Sequence, residues 1–450
     1  MGKWAKWKQD QSPLGYLAVV EELNFLGVKL ARTTSKSRAL NGEELTSRVK
    51  SKIASYKAGR HSPLVCRPYV LNTYVMSKIV YRSAVLNLRA QDIQSIQSAA
   101  KQWLTQNLLL KPPEVLLYRE EDQGGLGMVH AGSRCTANLI KTFVQQGHPG
   151  SIYPNLYLNS LFRCYVLDEL ESERIKRPPY YSLELFSIIR EAEEGGEDTL
   201  AITTRGWQKR IMERGVTHQK DAESGLPEII RTGQEEKLNH ANWANIWLLR
   251  RKSGLTPAQK SWLFMWVEGL HVNNERLYRI GKTDAPTCDF CDQSDGRSHI
   301  LFCKYNEKVC HGLQQVLETS TGAPVSEVDI GVCDLDIPNS LQLPTLFMLC
   351  EVTKQLQSSR EYKKTIQLEK LCAEIKAKAG AFLLTKKLGF AHSIVCMWLD
   401  SYFADERVVS DTRQGAAVAL LANHDGPAVA RAPAHPCGFT QPARHRGVGE

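Results

Sequence analysis

The sequence lacks the long apolar segments that membrane and secreted proteins need. No uninterrupted apolar run reaches the roughly 18 residues of a bilayer-spanning helix. The best candidate, residues 381–399, contains Lys386 and Lys387. The Lys- and Trp-rich first ten residues hold no apolar segment of a secretory signal. We therefore predict a protein that is not secreted, has no membrane partner and lies in a reducing compartment, the nucleus or the cytoplasm.

Nucleotide-binding glycine motifs and internal repeats are also missing. Residues 124–127 read Gly-Gly-Leu-Gly, but no strand–loop–helix pattern of a phosphate-binding loop surrounds them, so a tight turn is expected there. The composition is otherwise ordinary, since 42% of the 450 residues are hydrophobic and 23% are charged. This apolar content is sufficient for two or three domains with cores of their own.

Acidic residues are scarce in the first quarter of the chain. Residues 1–111 contain 18 Lys or Arg and 6 Asp or Glu, a net charge of +12, whereas the whole chain carries +9. A basic domain on a near-neutral body favours a polyanionic partner. A solvated basic surface with no partner would leave the same pattern.

Most of the twelve cysteines stand alone in apolar stretches, as reduced and buried thiols do. Four residues instead share the spacing C-x2-C-x7-H-x3-C: Cys288, Cys291, His299 and Cys303. Soft and borderline ligands at this spacing can occupy the four corners of a tetrahedron, which predicts a closed, structural Zn²⁺ site. A CxxC pair without metal is the alternative, and Cys310 and His311 are alternative ligands.

Hydrophobic periodicity predicts an extended stretch and then helices. Residues 15–30 are expected to extend and to bend at Gly27, and the polar residues 33–42 are expected to form a loop. Three amphipathic helices should follow and pack as a small bundle, at about residues 45–59, 68–85 and 91–109.

We therefore predict a mainly α fold, formally α+β, with six segments. These are a short β-hairpin, a basic three-helix bundle, a helical connector, a small zinc-binding module, a helical C-terminal region and a disordered tail rich in Ala, Pro, Gly, Arg and His. Their expected ranges are 1–32, 33–127, 128–275, 276–312, 313–409 and 410–450.

Four tryptophans at helix-compatible spacing are predicted to be core residues: Trp243, Trp247, Trp262 and Trp266. Aromatic side chains that stack on nucleic-acid bases usually lie among exposed basic residues. Three basic neighbours therefore keep that alternative open: Arg250, Arg251 and Lys252.

Several short motifs follow the order found in the reverse transcriptases of non-LTR (LINE-like) retrotransposons. Residues 25–28 (Phe-Leu-Gly-Val) resemble the FLG hairpin at the end of the palm, and residues 60–81 resemble the thumb signature. Four further segments resemble the passage that follows the thumb in this family: residues 103–104, 118–119, 124–127 and 178–181. Residues 276–279 lead into the cysteine motif, as in the family's C-terminal zinc-binding region. The resemblance covers roughly residues 15–310.

The resemblance implies what the chain binds. The intact family enzyme uses Mg²⁺ to copy element RNA into DNA from a primer at a nick in target DNA. The implied partners are RNA and DNA, namely template–primer, element RNA and target DNA. The implied nucleic-acid-binding residues are Phe25, Leu26, Gly27, Arg48, Lys50, Lys52, Arg60, Lys78 and Arg82. Each of the Lys and Arg residues among them could instead belong to a solvated helix face.

The sequence also departs from the family. The family's polymerase core precedes the FLG hairpin, and 24 residues precede Phe25 here. We therefore expect no paired aspartates to hold two Mg²⁺ ions and no catalysis by this chain alone. Residues 403–406 (Phe-Ala-Asp-Glu) resemble the family's (Y/F)ADD box only superficially, because they follow the zinc motif. Three residues separate His299 from Cys303, where the family usually has four.

Three alternatives to a nucleic-acid-binding fragment follow from these departures. A separately supplied palm domain would complete a polymerase site in trans. An inert retrotransposon remnant would leave apolar surface uncovered and would tend to aggregate. A zinc-containing structural or interaction module would need the metal to fold and would bind no nucleic acid.

Overall fold

The computed structural model describes residues 21–25, 27–56, 62–152, 154–170, 182–218, 243–252, 254–296, 299–325, 335–362, 364 and 366–403. Within these ranges the protein is mainly helical, with one two-stranded antiparallel sheet, which confirms the predicted fold class at that level. None of the helices in this part of the chain is both long and apolar enough to cross a membrane. Several predictions fall outside the described residues: those on Leu26, Arg60, residues 178–181 and 404–406, and the tail at 410–450.

The elements follow one another in chain order. The strands are β1 (Glu22–Phe25) and β2 (Val28–Ala31). The helices of the first half are α1 (Thr34–Ser55), α2 (Arg67–Leu71), α3 (Ser77–Val85), α4 (Ala90–Leu104), α5 (Glu114–Tyr118), α6 (Ala131–Gly147), α7 (Leu156–Tyr165), α8 (Leu183–Glu194) and α9 (Thr204–His218). Those of the second half are α10 (Trp243–Lys252), α11 (Pro257–Val267), α12 (Asn274–Arg279), α13 (His299–Phe302), α14 (Glu307–Thr321), α15 (Asn339–Glu361), α16 (Leu368–Ala379) and α17 (Gly389–Tyr402).

The predicted loop at residues 33–42 is instead the first part of α1. Thr33 begins the helix, because its hydroxyl accepts a hydrogen bond from the Lys36 N–H and caps the first turn. Ser37 and Asn41, which made the segment look like a loop, are buried. Their polar groups have partners outside the helix, which the sequence pattern alone does not show.

Those partners lie on the free edge of the β-hairpin. The hairpin pairs β1 with β2 through a turn at Gly27, whose φ of +78° suits glycine. Asn41 accepts a hydrogen bond from the Lys29 N–H (3.0 Å) and donates one to the Lys29 carbonyl (2.7 Å). Ser37 makes the same pair of bonds with Ala31. Helix α1 therefore takes the place of a third strand and fixes the hairpin to the bundle.

Replacing Asn41 with alanine should lower the free energy of unfolding by about 2 kcal/mol, because both backbone groups of Lys29 lose their partner. Hydrogen exchange at the Lys29 amide should become faster in the same variant. Ser47→Ala, on the exposed face of α1, is the matched control and should change stability by less than about 0.5 kcal/mol. Equal effects of the two variants would contradict this attachment of the hairpin.

Helices α1 to α4 share one hydrophobic core. The stripe predicted for the second helix is fully buried at Leu71, Val75 and Ile79. A π turn at Asn72–Met76 joins α2 to α3 without a break. Asn72 within it donates to the Gly127 carbonyl and accepts from the Val129 N–H. The glycine-rich turn is thereby attached to the bundle.

The third helix ends at Leu104, five residues before its predicted end at residue 109. The guanidinium of buried Arg67 donates to the carbonyls of Leu104 (2.8 Å) and Gln106 (2.9 Å), so it satisfies groups that a longer helix would have bonded internally. A cation is also favourable at a helix C-terminus. Arg67 of the thumb-like motif is thus a structural residue.

The described residues form three hydrophobic cores, and residues 128–275 contribute to all of them. The first core is the bundle, which also contains Phe264 and Leu270. The second comes from α6 to α9, centred on Phe143, Phe162 and Trp207. The third spans residues 246–403. Trp247 and Trp266 are buried and Trp262 packs against that core, as predicted, while the side chain of Trp243 lies outside the described part.

Arg250 connects the glycine-rich turn to the C-terminal half. It is buried, and its guanidinium donates to the carbonyls of Glu121 and Gly125, both at 3.0 Å. It also lies 5.2 Å from the ring centre of Trp247 and 5.1 Å from that of Phe264. Burial lowers the pKa of Arg250 to about 10, so the group remains charged at neutral pH. Such a buried arginine is a clamp within the protein and does not form a base-stacking surface.

Candidate metal centre and basic face

The loop that carries Cys288 and Cys291 is a tight turn closed by backbone hydrogen bonds. The Cys288 N–H donates to the Gln293 carbonyl (2.7 Å), and the Asp292 N–H donates to the Cys288 carbonyl (3.0 Å). Asp292 adopts a left-handed φ of +56°, a conformation that aspartate tolerates. An antiparallel bridge between residues 287 and 294 closes the base of the turn. This geometry holds the two cysteines of the CxxC pair together.

The structure brings the four predicted metal ligands into one cluster, and this group could hold a metal ion. The ligand atoms of Cys288, Cys291, His299 and Cys303 all lie within 4.8 Å of one another. Tetrahedral Zn–S bonds of about 2.3 Å imply a sulfur–sulfur separation of about 3.8 Å. The Cys303 Sγ lies 3.8 Å from that of Cys288 and 3.9 Å from that of Cys291. These distances fit tetrahedral coordination and are far longer than a disulfide bond.

Helix α13 explains how a spacing of three residues between the last two ligands is accommodated. It is a single turn from His299 to Phe302, so His299 and Cys303 lie four positions apart on the same side. The Nε2 of His299 is 3.2 Å from the Cys291 Sγ, beside the other two thiols. The spacing of three residues therefore still allows all four side chains to join the cluster.

Protonation of the cluster depends on its burial. Burial raises the pKa of the Cys303 thiol to about 12 and lowers the pKa of His299. The imidazole is thereby favoured in the neutral form that ligates metals. The thiol would have to release its proton to a bound cation, whose charge would compensate for the burial of a thiolate.

A buried ion pair attaches the cluster to helix α15. Asp295, which follows the CxxC turn, is fully buried and pairs with Arg360 of α15. The other carboxylate oxygen of Asp295 accepts a hydrogen bond from the Asn274 N–H (2.7 Å) at the start of α12. The metal ligands are thus held on a support built from two separate helices.

The two alternative ligands lie outside the cluster. The thiol of Cys310 donates to the Ile300 carbonyl (3.8 Å), and burial raises its pKa to about 12. His311 is exposed and its Nε2 lies 3.1 Å from Gln315. Among the described residues, the cluster is formed by the four predicted ligands.

The predicted nucleic-acid-binding residues fall on the hairpin and the bundle. A recess of about 330 Å³ brings together Gly27, Arg48 and Arg82 with Lys29 and Glu44. A wider groove beside α1 is lined by Lys50 and Arg89 and also by two acidic residues, Glu43 and Asp92. Phe25 is the last residue of β1, and its side chain lies outside the described part of the structure.

The basic side chains differ in how exposed they are to solvent and in whether they are paired with acidic groups. The side chain of Arg82 is only 8% exposed, and its guanidinium donates to Glu44 and to the Asn41 carbonyl. Arg48 also pairs with Glu44, but its side chain remains 67% exposed. Lys50 and Lys78 are exposed and, within the described ranges, form no ion pair. Arg82 therefore belongs to the scaffold, and Arg48, Lys50 and Lys78 to the surface.

Two features of this surface go beyond the sequence-based prediction. The chain has no Asp or Glu from Leu45 to Gln91, whereas it has nine Lys or Arg there. Three tyrosines of this acid-free stretch are exposed, Tyr69 at 69%, Tyr74 at 51% and Tyr81 at 50%. The acid-free stretch was the signal that could have located the surface. We call the exposed side of the described residues 45–56 and 62–91 the basic face.

No protein-family model matches the chain, and no curated protein matches its sequence.

Proposed function

We propose that the basic face binds nucleic acid through its phosphates, as the thumb of a LINE-type reverse transcriptase would hold a template–primer. The observation that carries this proposal is the acid-free stretch, which leaves Lys50 and Lys78 without acidic neighbours in sequence. The only described acidic residue of the adjoining recess is Glu44, and three basic residues surround it. Contacts of this kind position a duplex without reading its sequence.

We further propose that the cysteine cluster holds a structural Zn²⁺. Three thiols and one imidazole are a typical zinc donor set, and the sulfur–sulfur distances suit tetrahedral coordination. The ion would cross-link the turn at Cys288 to helix α13. No free position for a substrate is needed, so its role would be to stabilise the fold. A zinc-containing interaction module that binds no nucleic acid is the second candidate, and this cluster is the feature that favours it.

Binding to a labelled RNA–DNA primer–template across a salt series tests the first proposal. With Arg48, Lys50, Lys52 and Lys78 on phosphates, the logarithm of the association constant should fall with the logarithm of salt concentration with a slope of about −3 to −5. Lys50→Ala and Lys78→Ala should each make the slope less negative by about one. A flat salt dependence would contradict phosphate binding.

The matched control is Lys370→Ala, on helix α16 outside the basic face, where the side chain is also exposed. It should leave the affinity and the slope unchanged. A loss equal to that of Lys78→Ala would mean that overall charge, and not the basic face, determines binding. Absence of binding by the unaltered protein at low salt would favour the interaction module.

A further inference from the structure

A row of basic and aromatic side chains crosses the basic face. The Lys52 ammonium lies 5.0 Å from the centre of the Tyr56 ring, and the Tyr56 ring lies 6.1 Å from that of Tyr74, tilted by 47°. Lys78 lies one helical turn after Tyr74, and Tyr81 lies two turns after Tyr74. All three side chains therefore share one side of the helix. We call these five residues the tyrosine row.

The row has properties that an ordinary helix surface lacks. Single exposed aromatic residues are common and need no explanation. Here, however, two half-exposed tyrosines stand on either side of an exposed lysine. Neither Lys52 nor Lys78 forms an ion pair with another described residue, and the surrounding sequence contains no acid.

The backbone beneath the row is also unusual. Tyr74 lies within the π turn at Asn72–Met76, between α2 and α3. Such turns are rare within α-helices and occur often at functional sites. Asn72, in the same turn, is tied to the glycine-rich loop by two hydrogen bonds. The turn is therefore held in place from outside the helix, and it fixes the ring beside Tyr56.

We propose that the tyrosine row binds single-stranded nucleic acid, with unpaired bases stacked on Tyr74 and Tyr81 and phosphates on Lys52 and Lys78. This inference rests on the proposed function, because the same basic face would supply the phosphate contacts. The positive charge of the row favours a polyanion as its ligand. The exposed rings favour a nucleic acid whose bases are unpaired and can stack on them. Every base has a π face, so the row binds without sequence preference.

The spacing of the two rings suits a short stretch of strand. Tyr81 lies seven positions after Tyr74, a rise of about 10 Å along the helix. Stacked nucleotides rise about 3.4 Å each along one strand, so roughly three nucleotides cover the distance. In a duplex the bases stack on one another and their faces are closed to the rings. The row therefore distinguishes a single strand from a duplex of equal charge.

The test compares the purified full chain with a variant that carries both Tyr74→Ala and Tyr81→Ala. The probes are a fluorescein-labelled oligo(dT) of about 20 nucleotides and a DNA duplex of the same length. The double variant should bind oligo(dT) at least about tenfold more weakly. Its affinity for the duplex and its salt slope should stay unchanged, because no phosphate contact is removed.

Two matched variants separate ring stacking from other effects. Tyr74→Phe with Tyr81→Phe keeps both rings and should retain the affinity for oligo(dT). Tyr362→Ala removes a tyrosine of the C-terminal half that is more exposed than either ring of the row and should have no effect. Loss of binding in the phenylalanine variant would overturn the stacking role.

The remaining outcomes separate this inference from the proposed function. If the unaltered protein binds both probes and the alanine variant weakens both equally or neither, the tyrosine row is not a single-strand site, although phosphate binding stands. If the unaltered protein binds neither probe at low salt, the proposed function fails and this inference fails with it.

Discussion

Replacing Cys288 with serine is expected to remove stoichiometric zinc from the purified protein. A neutral hydroxyl is a poor substitute for a buried thiolate, and structural zinc contributes about 10–16 kcal/mol of apparent binding free energy in zinc-finger peptides. We expect one Zn²⁺ per chain in the unaltered protein and an affinity at least about 1000-fold lower in the variant. Metal content after dialysis and competition with a chromogenic chelator measure both quantities.

The control for this experiment is Cys310→Ser, seven residues beyond Cys303. Its thiol is half-buried and bonds to the Ile300 carbonyl instead of joining the cluster. This variant should retain one Zn²⁺ per chain. The absence of zinc from the unaltered protein prepared with zinc, or an equal loss in both variants, would exclude the proposed centre.

The substitution of Arg250 by methionine should produce the largest loss of stability outside the metal centre. Methionine fills a similar volume but cannot donate to the carbonyls of Glu121 and Gly125. It also removes the cation from between the rings of Trp247 and Phe264. The loss of these charge-assisted hydrogen bonds, which leaves the Gly125 carbonyl without its Arg250 donor, should cost about 3–5 kcal/mol. Urea unfolding followed by tryptophan fluorescence measures this difference.

The neighbouring residue provides the control. Arg251 is exposed on the same helix, and Arg251→Met removes the same charge from the chain. Its effect should stay within about 0.5 kcal/mol. If the two variants are equally stable, the clamp between the glycine-rich turn and α10 contributes nothing to the fold.

The parts of the fold that depend on local pattern could be predicted from the sequence. The apolar stripe at Leu71, Val75 and Ile79 repeats every four residues, and all three side chains are buried. The metal cluster follows in the same way from ligand spacing within a short segment. Such patterns report on neighbours one helical turn away, which is why they predict helices and compact metal sites well.

Features that depend on distant partners could not be predicted. Ser37 and Asn41 look like loop residues until their bonds to β2 are known. Lys78 and Arg82 lie one helical turn apart and carry the same charge. Arg82, however, pairs with Glu44, which precedes it by 38 residues, and is therefore buried. The end of α4 likewise depends on Arg67, from another helix. Polar and charged residues do not recur at regular intervals along the sequence. A structure is therefore needed to distinguish an exposed polar side chain from one that is buried and paired.

Phe264 and Leu270 belong to the first core but are synthesised long after the helices of the bundle, which matters for folding on the ribosome. The bundle of α1 to α4 is complete in sequence by residue 104, yet its core also includes these two side chains from the end of α11 and just beyond it. At about 5–20 residues per second, a ribosome needs roughly ten to thirty seconds to add the intervening chain. During that interval the nascent bundle exposes the apolar surface that they later cover, and chaperones would be needed there most.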